Sequence, residues 1–397
     1  MPMQVRMESL QGPSETRAIR DVVRRILAVT HLPLLLVAAV LTAYGLLVVS
    51  SAIADSELYS ISRQFLGVGL GLVVMVALWR VDYHRYALFV VPLLIFDFVL
   101  LLLPLLPFIG VTVNGARSWI SVFGIQVQPA EIAKILTIVV MAALVSRYRG
   151  KLTSGKEYLK CLALLLALLP AILLQPDLGT GLVFFAIGMA ILFAGGANWK
   201  WLALTVLGIV VAIVLVLQLE LLEDYQRDRL LVFINEDIDP GGIGYNLKQA
   251  KIAIGSGGLF GKGLGQATQS SLGFLPEAGT DFIFCVLAEE FGFVGCVTLL
   301  ALYASLIVCS FWIALKADDP FGTLIVMGCV GMWVFQILEN IGMDCGLMPI
   351  TGIPLPFVSY GSSFMVANFM ALGLLLSVWA HRSGRKAGDR RWLFSNR

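Results

Sequence analysis

Stretches of roughly twenty consecutive apolar residues recur from residue 32 almost to the end of the chain, and no other feature limits its fold so strongly. A stretch of that length is what an α-helix needs to cross the hydrocarbon core of a bilayer. Ten such spans are read, at about 32–53, 64–79, 86–106, 129–146, 158–175, 179–196, 199–219, 282–314, 321–343 and 361–380. Only 14% of the 397 residues are charged, against about 25% in a soluble domain. The expected fold is an all-α polytopic membrane protein of ten transmembrane helices. A soluble enzyme is excluded.

Basic residues fix an orientation. With the N-terminus inside, Arg80 and Arg85, the group from Arg147 to Lys160, Lys200, Lys316 and the Arg-rich tail all fall on the cytoplasmic side. The short outer segments hold Arg63 and Arg117, and a long loop holds Arg227, Arg229, Lys248, Lys251 and Lys262. That is the positive-inside bias, so both termini are expected to be cytoplasmic. The expected organisation is a tail at 1–30, a ten-helix membrane domain at 31–381 with a large extracytoplasmic loop at about 220–281, and a basic tail at 382–397. The first 30 residues are too polar, and the next span too long, for a cleaved signal peptide.

Cysteine and histidine offer little chemistry. The six cysteines never form a CxxC pair, so neither a disulfide framework nor a zinc site is expected. His31, His84 and His381 lie near inner boundaries, which argues against catalysis by histidine.

The unusual sequence lies in three outward loops, near 107–128, 220–281 and 344–360. In "QVQPAEIAK" (Gln126–Lys134), Pro129 suits the first turn of a helix. Glu131 then sits against the positive end of the helix dipole, and Lys134 follows on the same face. A lysine inside a span costs at least ~2.5 kcal/mol, so it requires a partner or a cavity. The plain reading is an ion pair, Lys134 with Glu131 or with Asp97.

The run "KIAIGSGGLFGKGLG" (Lys251–Gly265) is glycine-rich but matches neither the P-loop nor the dinucleotide fingerprint. An interfacial helix over 245–254 followed by a turn is expected there. In the third loop Pro349, Pro354 and Pro356 rule out a continuous helix. Finally, "FLPEAGTDFIFCVLAEEFG" (Phe274–Gly292) places Glu277 and Asp281 before a span that itself carries Glu289 and Glu290. Asp281 reads either as a functional carboxylate or as a helix-capping aspartate. Of Glu289 and Glu290, which cannot share a helix face, one is expected to face a central cavity and the other a neighbouring helix.

Taken in order, "NGARSWI", "QPAEIAK", "QPDLGT", "FLPEAGTDFIF", "AEEFGFVG" and "TGIPLPFVSYGSS" resemble the SEDS family of RodA, FtsW and SpoVE. "KIAIGSGGLFGKG" with "ATQS" looks most like the RodA branch. The resemblance implies the SEDS fold and a peptidoglycan glycosyltransferase. Such an enzyme polymerises lipid II, a disaccharide-peptide on undecaprenyl pyrophosphate, at the outer leaflet of the bacterial plasma membrane during elongation and shape maintenance. A class B penicillin-binding protein and the elongation machinery are the implied partners; no nucleic acid is involved. By the same resemblance Asp281 is the candidate general base. Lys134 and Arg117 would offset charge on the departing pyrophosphate, and Glu131 would orient Lys134 or help bind a divalent cation (Mg or Mn), for which no closed ligand set is visible. Substrate-binding candidates are Glu277, Thr280, Asn114, Trp119, Ser359 and Tyr360.

The chain departs from the family in three places. Gly279 stands where histidine is frequent, Ser362 replaces a glycine, and "FINEDIDPGG" lacks a usual proline. A lipid II flippase and a non-catalytic scaffold for the penicillin-binding protein are the alternative readings.

Overall fold

The structure, a computed structural model, describes residues 30–382 apart from 55, 57–58, 114, 123–124, 149–151, 153, 220–226, 228, 230–231, 234, 236–238 and 240. The tails expected at 1–30 and 382–397 lie outside the described residues except for Thr30 and Arg382. A helix occupies each apolar stretch: α1 (Leu32–Ala52), α2 (Ile61–Arg80), a 3-10 turn (Tyr83–Phe89) running into α3 (Val90–Leu102), α4 (Pro129–Ser146), α5 (Gly155–Leu173), α6 (Leu178–Ala194), α7 (Trp199–Gln218), α10 (Ile283–Lys316), α11 (Pro320–Asp344) and α12 (Ser362–Ala380). Between α7 and α10 lie α8 (Ile243–Ser256), close to the helix expected there, and the short α9 (Thr268–Ser271).

Among the described residues, seven helices are long and apolar enough to cross a membrane, and α6 and α7 are shorter apolar helices. Their burial sorts them into two rings. α4 and α12 are 83% buried over their apolar windows, whereas α2 is 22% buried. Thus α4, α11 and α12 form the centre, and α2 and α3 turn leucine, valine and phenylalanine outward, as lipid-facing helices do.

The all-α expectation needs one correction. Residues 110–127 form a three-stranded antiparallel sheet, β1 (Gly110–Val113), β2 (Ala116–Val122) and β3 (Ile125–Val127). β2 is central, with Val111 opposite Trp119 and Ile120 opposite Val127. Its β-branched and aromatic residues suit a pleated surface, but strands this short resemble loop in sequence.

The glycine-rich run has a structural task. α10 breaks at Gly292, whose φ of 64° no ordinary helical residue adopts. The break strands backbone groups that a bilayer cannot satisfy, and the loop supplies their partners. Lys262 N and Gly263 N donate to the carbonyls of Glu289 (2.9 Å) and Glu290 (3.0 Å). On the far side of the break, Phe293 N and Val294 N donate to Gly258 O (2.9 Å) and Leu259 O (3.1 Å).

The two adjacent acids lock the same loop. Glu289 accepts from Lys262 Nζ (2.5 Å), Thr268 N (3.0 Å), Thr268 Oγ1 (2.8 Å) and Gln269 N (3.2 Å). Glu290 accepts from Gly265 N (2.9 Å) and the Ser51 hydroxyl. Glu290 meets a neighbouring helix, α1, through Ser51, as expected of one of the two acids. Neither lines the cavity expected for the other, because the stitched loop takes up Glu289.

Backbone meets backbone here: a Cβ at Gly261 would lie 2.1 Å from Glu290 O. Gly265 has a similar positive φ but opens onto free space. Gly261→Ala is therefore expected to lose more than the ~1–3 kcal/mol of backbone strain alone, and Gly265→Ala no more than that strain. Thermal unfolding in detergent checks this; equal Tm losses would refute the stitching.

Candidate active site

A cavity of about 240 Å³ opens where the sheet, the N-terminal ends of α4, α6 and α12, the turn before α10 and the segment after α11 converge. Each wall is set by local sequence. Pro129 starts α4, which places Glu131 and Lys134, 3% and 2% exposed, on its cavity face. Lys134 Nζ lies 2.7 Å from Glu131 Oε1 and 5.7 Å from the centroid of Phe364. Of the two pairings open to Lys134, the structure therefore forms the one with Glu131. Asp97 instead accepts from the Thr137 hydroxyl at 2.7 Å.

The turn before α10 holds Asp281. Glu277, in the left-handed region with φ 55°, offers its carbonyl to the amides of Thr280 (3.1 Å), Asp281 (3.1 Å) and Phe282 (3.2 Å). α10 then begins after Phe282 without a side-chain cap, so the Asp281 carboxylate is not spent on the helix end. Two buried side chains fix its backbone. Asn340 Nδ2 donates to Asp281 O (2.7 Å) and Ile353 O (2.9 Å). Ser359 Oγ donates to Thr280 O (2.7 Å) while accepting from Leu355 N (2.7 Å).

The carboxylate itself meets bare backbone, since a Cβ at Gly352 would lie 2.9 Å from Asp281 Oδ2. Removal from water pushes the Asp281 carboxyl up to about 6; the Glu277 carboxylate adds to this and the Arg229 guanidinium opposes it. Glu277 accepts from the Tyr59 hydroxyl and, at 3.1 Å, from Thr280 Oγ1. Arg229 donates to Thr351 O at 3.3 Å. Asp177 caps α6, accepting from Thr180 N (3.0 Å) and from Gln128 Nε2 (3.0 Å).

Of the candidate residues, Asp281, Lys134, Glu131, Glu277, Thr280, Trp119 and Tyr360 all line this one cavity. Arg117 does not: its guanidinium turns to Leu106 O at 3.0 Å. Ser359 is fully buried behind the wall, where it braces the turn. Asn114 lies outside the described residues. Sequence reasoning missed Arg63, Arg229 and Asp177 as lining residues. Asp177 had a signal in "QPDLGT", whereas Arg229 falls in a stretch that the sequence reads as loop, without periodicity. Three cations thus face four carboxylates. Among the described residues, no group of three or more His, Cys, Asp or Glu is arranged as metal ligands.

Comparison with known proteins agrees with this architecture. The family described as "Cell cycle protein" (FtsW, RodA, SpoVE) matches residues 29–384. The chain is 37% identical over 351 residues to the peptidoglycan glycosyltransferase MrdB of Escherichia coli K12, covering 88% of this chain and 93% of the relative. It is 36% identical over 354 residues to the stage V sporulation protein E of Bacillus subtilis, covering 87% and 95%. Among solved structures, a chain from work on coordination of polymerization and crosslinking by a peptidoglycan synthase complex superposes with a TM-score of 0.78 at 31% identity, covering 90% of this chain and 99% of the other. The rod shape determining protein RodA of Thermus thermophilus gives 0.67 at 30%, covering 90% and 98%. With family-wide sequence coverage and the same helical frame around its cavity, the chain belongs to the SEDS family of FtsW, RodA and SpoVE.

Proposed function

We propose that this protein is a peptidoglycan glycosyltransferase that polymerises lipid II at the outer leaflet of the bacterial plasma membrane, during elongation and shape maintenance. In this reading ten helices cross that membrane, and the distribution of basic residues supports cytoplasmic termini. The relatives' activity supports the reaction, and the synthase complex among the structural neighbours supports a class B penicillin-binding protein as partner. One observation carries the reading. A desolvated carboxylate, Asp281, shares a cavity with Lys134, Arg63 and Arg229, which is the charge pattern that transfer from a pyrophosphate requires.

The chemistry follows from that pattern. A sugar hydroxyl of the acceptor attacks the anomeric carbon of the donor, forming the new glycosidic C–O bond. The bond from that carbon to the pyrophosphate oxygen breaks, and the undecaprenyl pyrophosphate leaves with the electron pair. Asp281 takes the hydroxyl proton. A carboxyl raised toward neutrality is a better base than one of ordinary acidity and still ionises at physiological pH. Fixed cations at the leaving group stabilise its developing charge without reorganisation. Lys134 is preset for this by its ion pair with Glu131 at 2.7 Å. Arg63 and Arg229 take the role first expected of Arg117. Among the described residues no ligand set for Mg or Mn closes, and the steps above use none. Flippase and scaffold readings find no use for a desolvated carboxylate facing three cations.

The test uses purified protein with its penicillin-binding partner and labelled lipid II, with glycan strands resolved on a gel. Asp281→Asn is expected to lower the rate at least ~100-fold; strands of wild-type length and yield would remove the base from this account. Lys134→Met is expected to lower kcat by ~10²–10³-fold with a smaller change in KM, because the lost interaction matters most as charge develops. A change in KM alone would make Lys134 a binding residue instead.

A further inference from the structure

Glu339 is a buried acid that the mechanism above does not use. It lies near the C-terminal end of α11, 3% exposed. One carboxylate oxygen accepts the Thr351 hydroxyl, and the other makes no hydrogen bond among the described residues. Burying a carboxyl group with an oxygen unmet is costly, and acids inside membrane spans mark function by default.

Thr351 gives that cost a purpose. It lines the cavity, and its carbonyl accepts the Arg229 guanidinium at 3.3 Å. α6 closes in on the same carbonyl, since a Cβ at Gly179 would lie 2.8 Å from Thr351 O. The next residue, Gly352, is the bare backbone against which the Asp281 carboxylate rests. Residues 351–354 have no regular secondary structure, so side chains must fix their position. Asn340, adjacent to Glu339, does this for Ile353 and for Asp281 at once. Glu339 does it for Thr351.

We propose that Glu339 is a positioning residue: through the Thr351 hydroxyl it holds the wall that sets Arg229 and Gly352 against Asp281. It touches neither substrate nor reacting atoms. The inference rests on the reading of this cavity as the active site. Holding groups in register is worth much in rate, since a misplacement of about 1 Å from a distant change costs ~100-fold.

The experiment is a double-mutant cycle on the full chain with its penicillin-binding partner, scored by steady-state kinetics on lipid II. Glu339→Leu and Thr351→Val are each expected to lower kcat by ~10–100-fold while KM changes by less than about threefold. The double variant is expected to be no worse than either single, because both remove one interaction. Glu339→Gln and Thr351→Ser, which keep an acceptor and a hydroxyl, are expected to recover kcat to within about threefold of wild type. Undiminished kcat in either single variant, or losses that multiply in the double, would overturn the proposal. Should Glu339→Leu fail to fold, Thr351→Val against Thr351→Ser decides: equal kcat in those two refutes it. Asp281→Asn is run in parallel. Full activity there would sink the active-site reading, whatever Glu339 does.

Discussion

Backbone that leaves the helix within a bilayer must find its hydrogen bonds in other parts of the protein, and the architecture turns on two places where it does. At the first, α10 breaks at Gly292 and the loop 257–263 is stitched into the gap. At the second, the segment after α11 runs without regular structure, and Asn340 and Ser359 tie it to the turn bearing Asp281. Both departures flank the N-terminal part of α10. One fixes its membrane end and the other its mouth. The stretch between them is buried almost throughout, so the Asp281 turn rests on a rigid element.

Electrostatics then follows from placement. The cavity gathers Lys134, Arg63 and Arg229 against Glu131, Asp177, Glu277 and Asp281. Several of these are partnered within the protein: Lys134 by Glu131, Asp177 by Gln128 and Thr180, Glu277 by Tyr59 and Thr280. Asp281 also has partners, the Thr280 side chain and the Arg229 guanidinium, but beside the Gly352 backbone its burial outweighs both. A carboxyl raised in this way is suited to accept a proton, whereas Glu131, Asp177 and Glu277 are suited to hold geometry.

The helices were legible in the sequence because length and apolarity alone define them. The pairing of Lys134 with Glu131 was half legible: helical spacing allowed it, but Asp97 competed until Thr137 was seen to occupy that acid. The sheet escaped because its strands are too short for alternation to stand out. Of Glu289 and Glu290, one was expected to face a neighbouring helix, and Glu290 does so through Ser51 of α1. The cavity expected for the other was a misreading, since nothing in sequence shows that a distant glycine run comes back to bind Glu289. Arg117 and Ser359 were placed in the site by motif, yet a motif does not distinguish a side chain lining a cavity from one bracing its wall. Arg229 had no signal, since only tertiary folding brings it to the Thr351 carbonyl.

The pH dependence of kcat/KM for lipid II polymerisation tests the central claim most directly. Asp281 must be ionised to accept a proton, and its carboxyl is raised to about 6. Activity should therefore be lost as pH falls through that value and be present above it. Arg229→Gln removes the nearby positive charge that favours ionised Asp281, and should move the acid limb to higher pH. An acid limb at the ordinary aspartate value near 4, unmoved by Arg229→Gln, would contradict the assignment of Asp281 as the desolvated base.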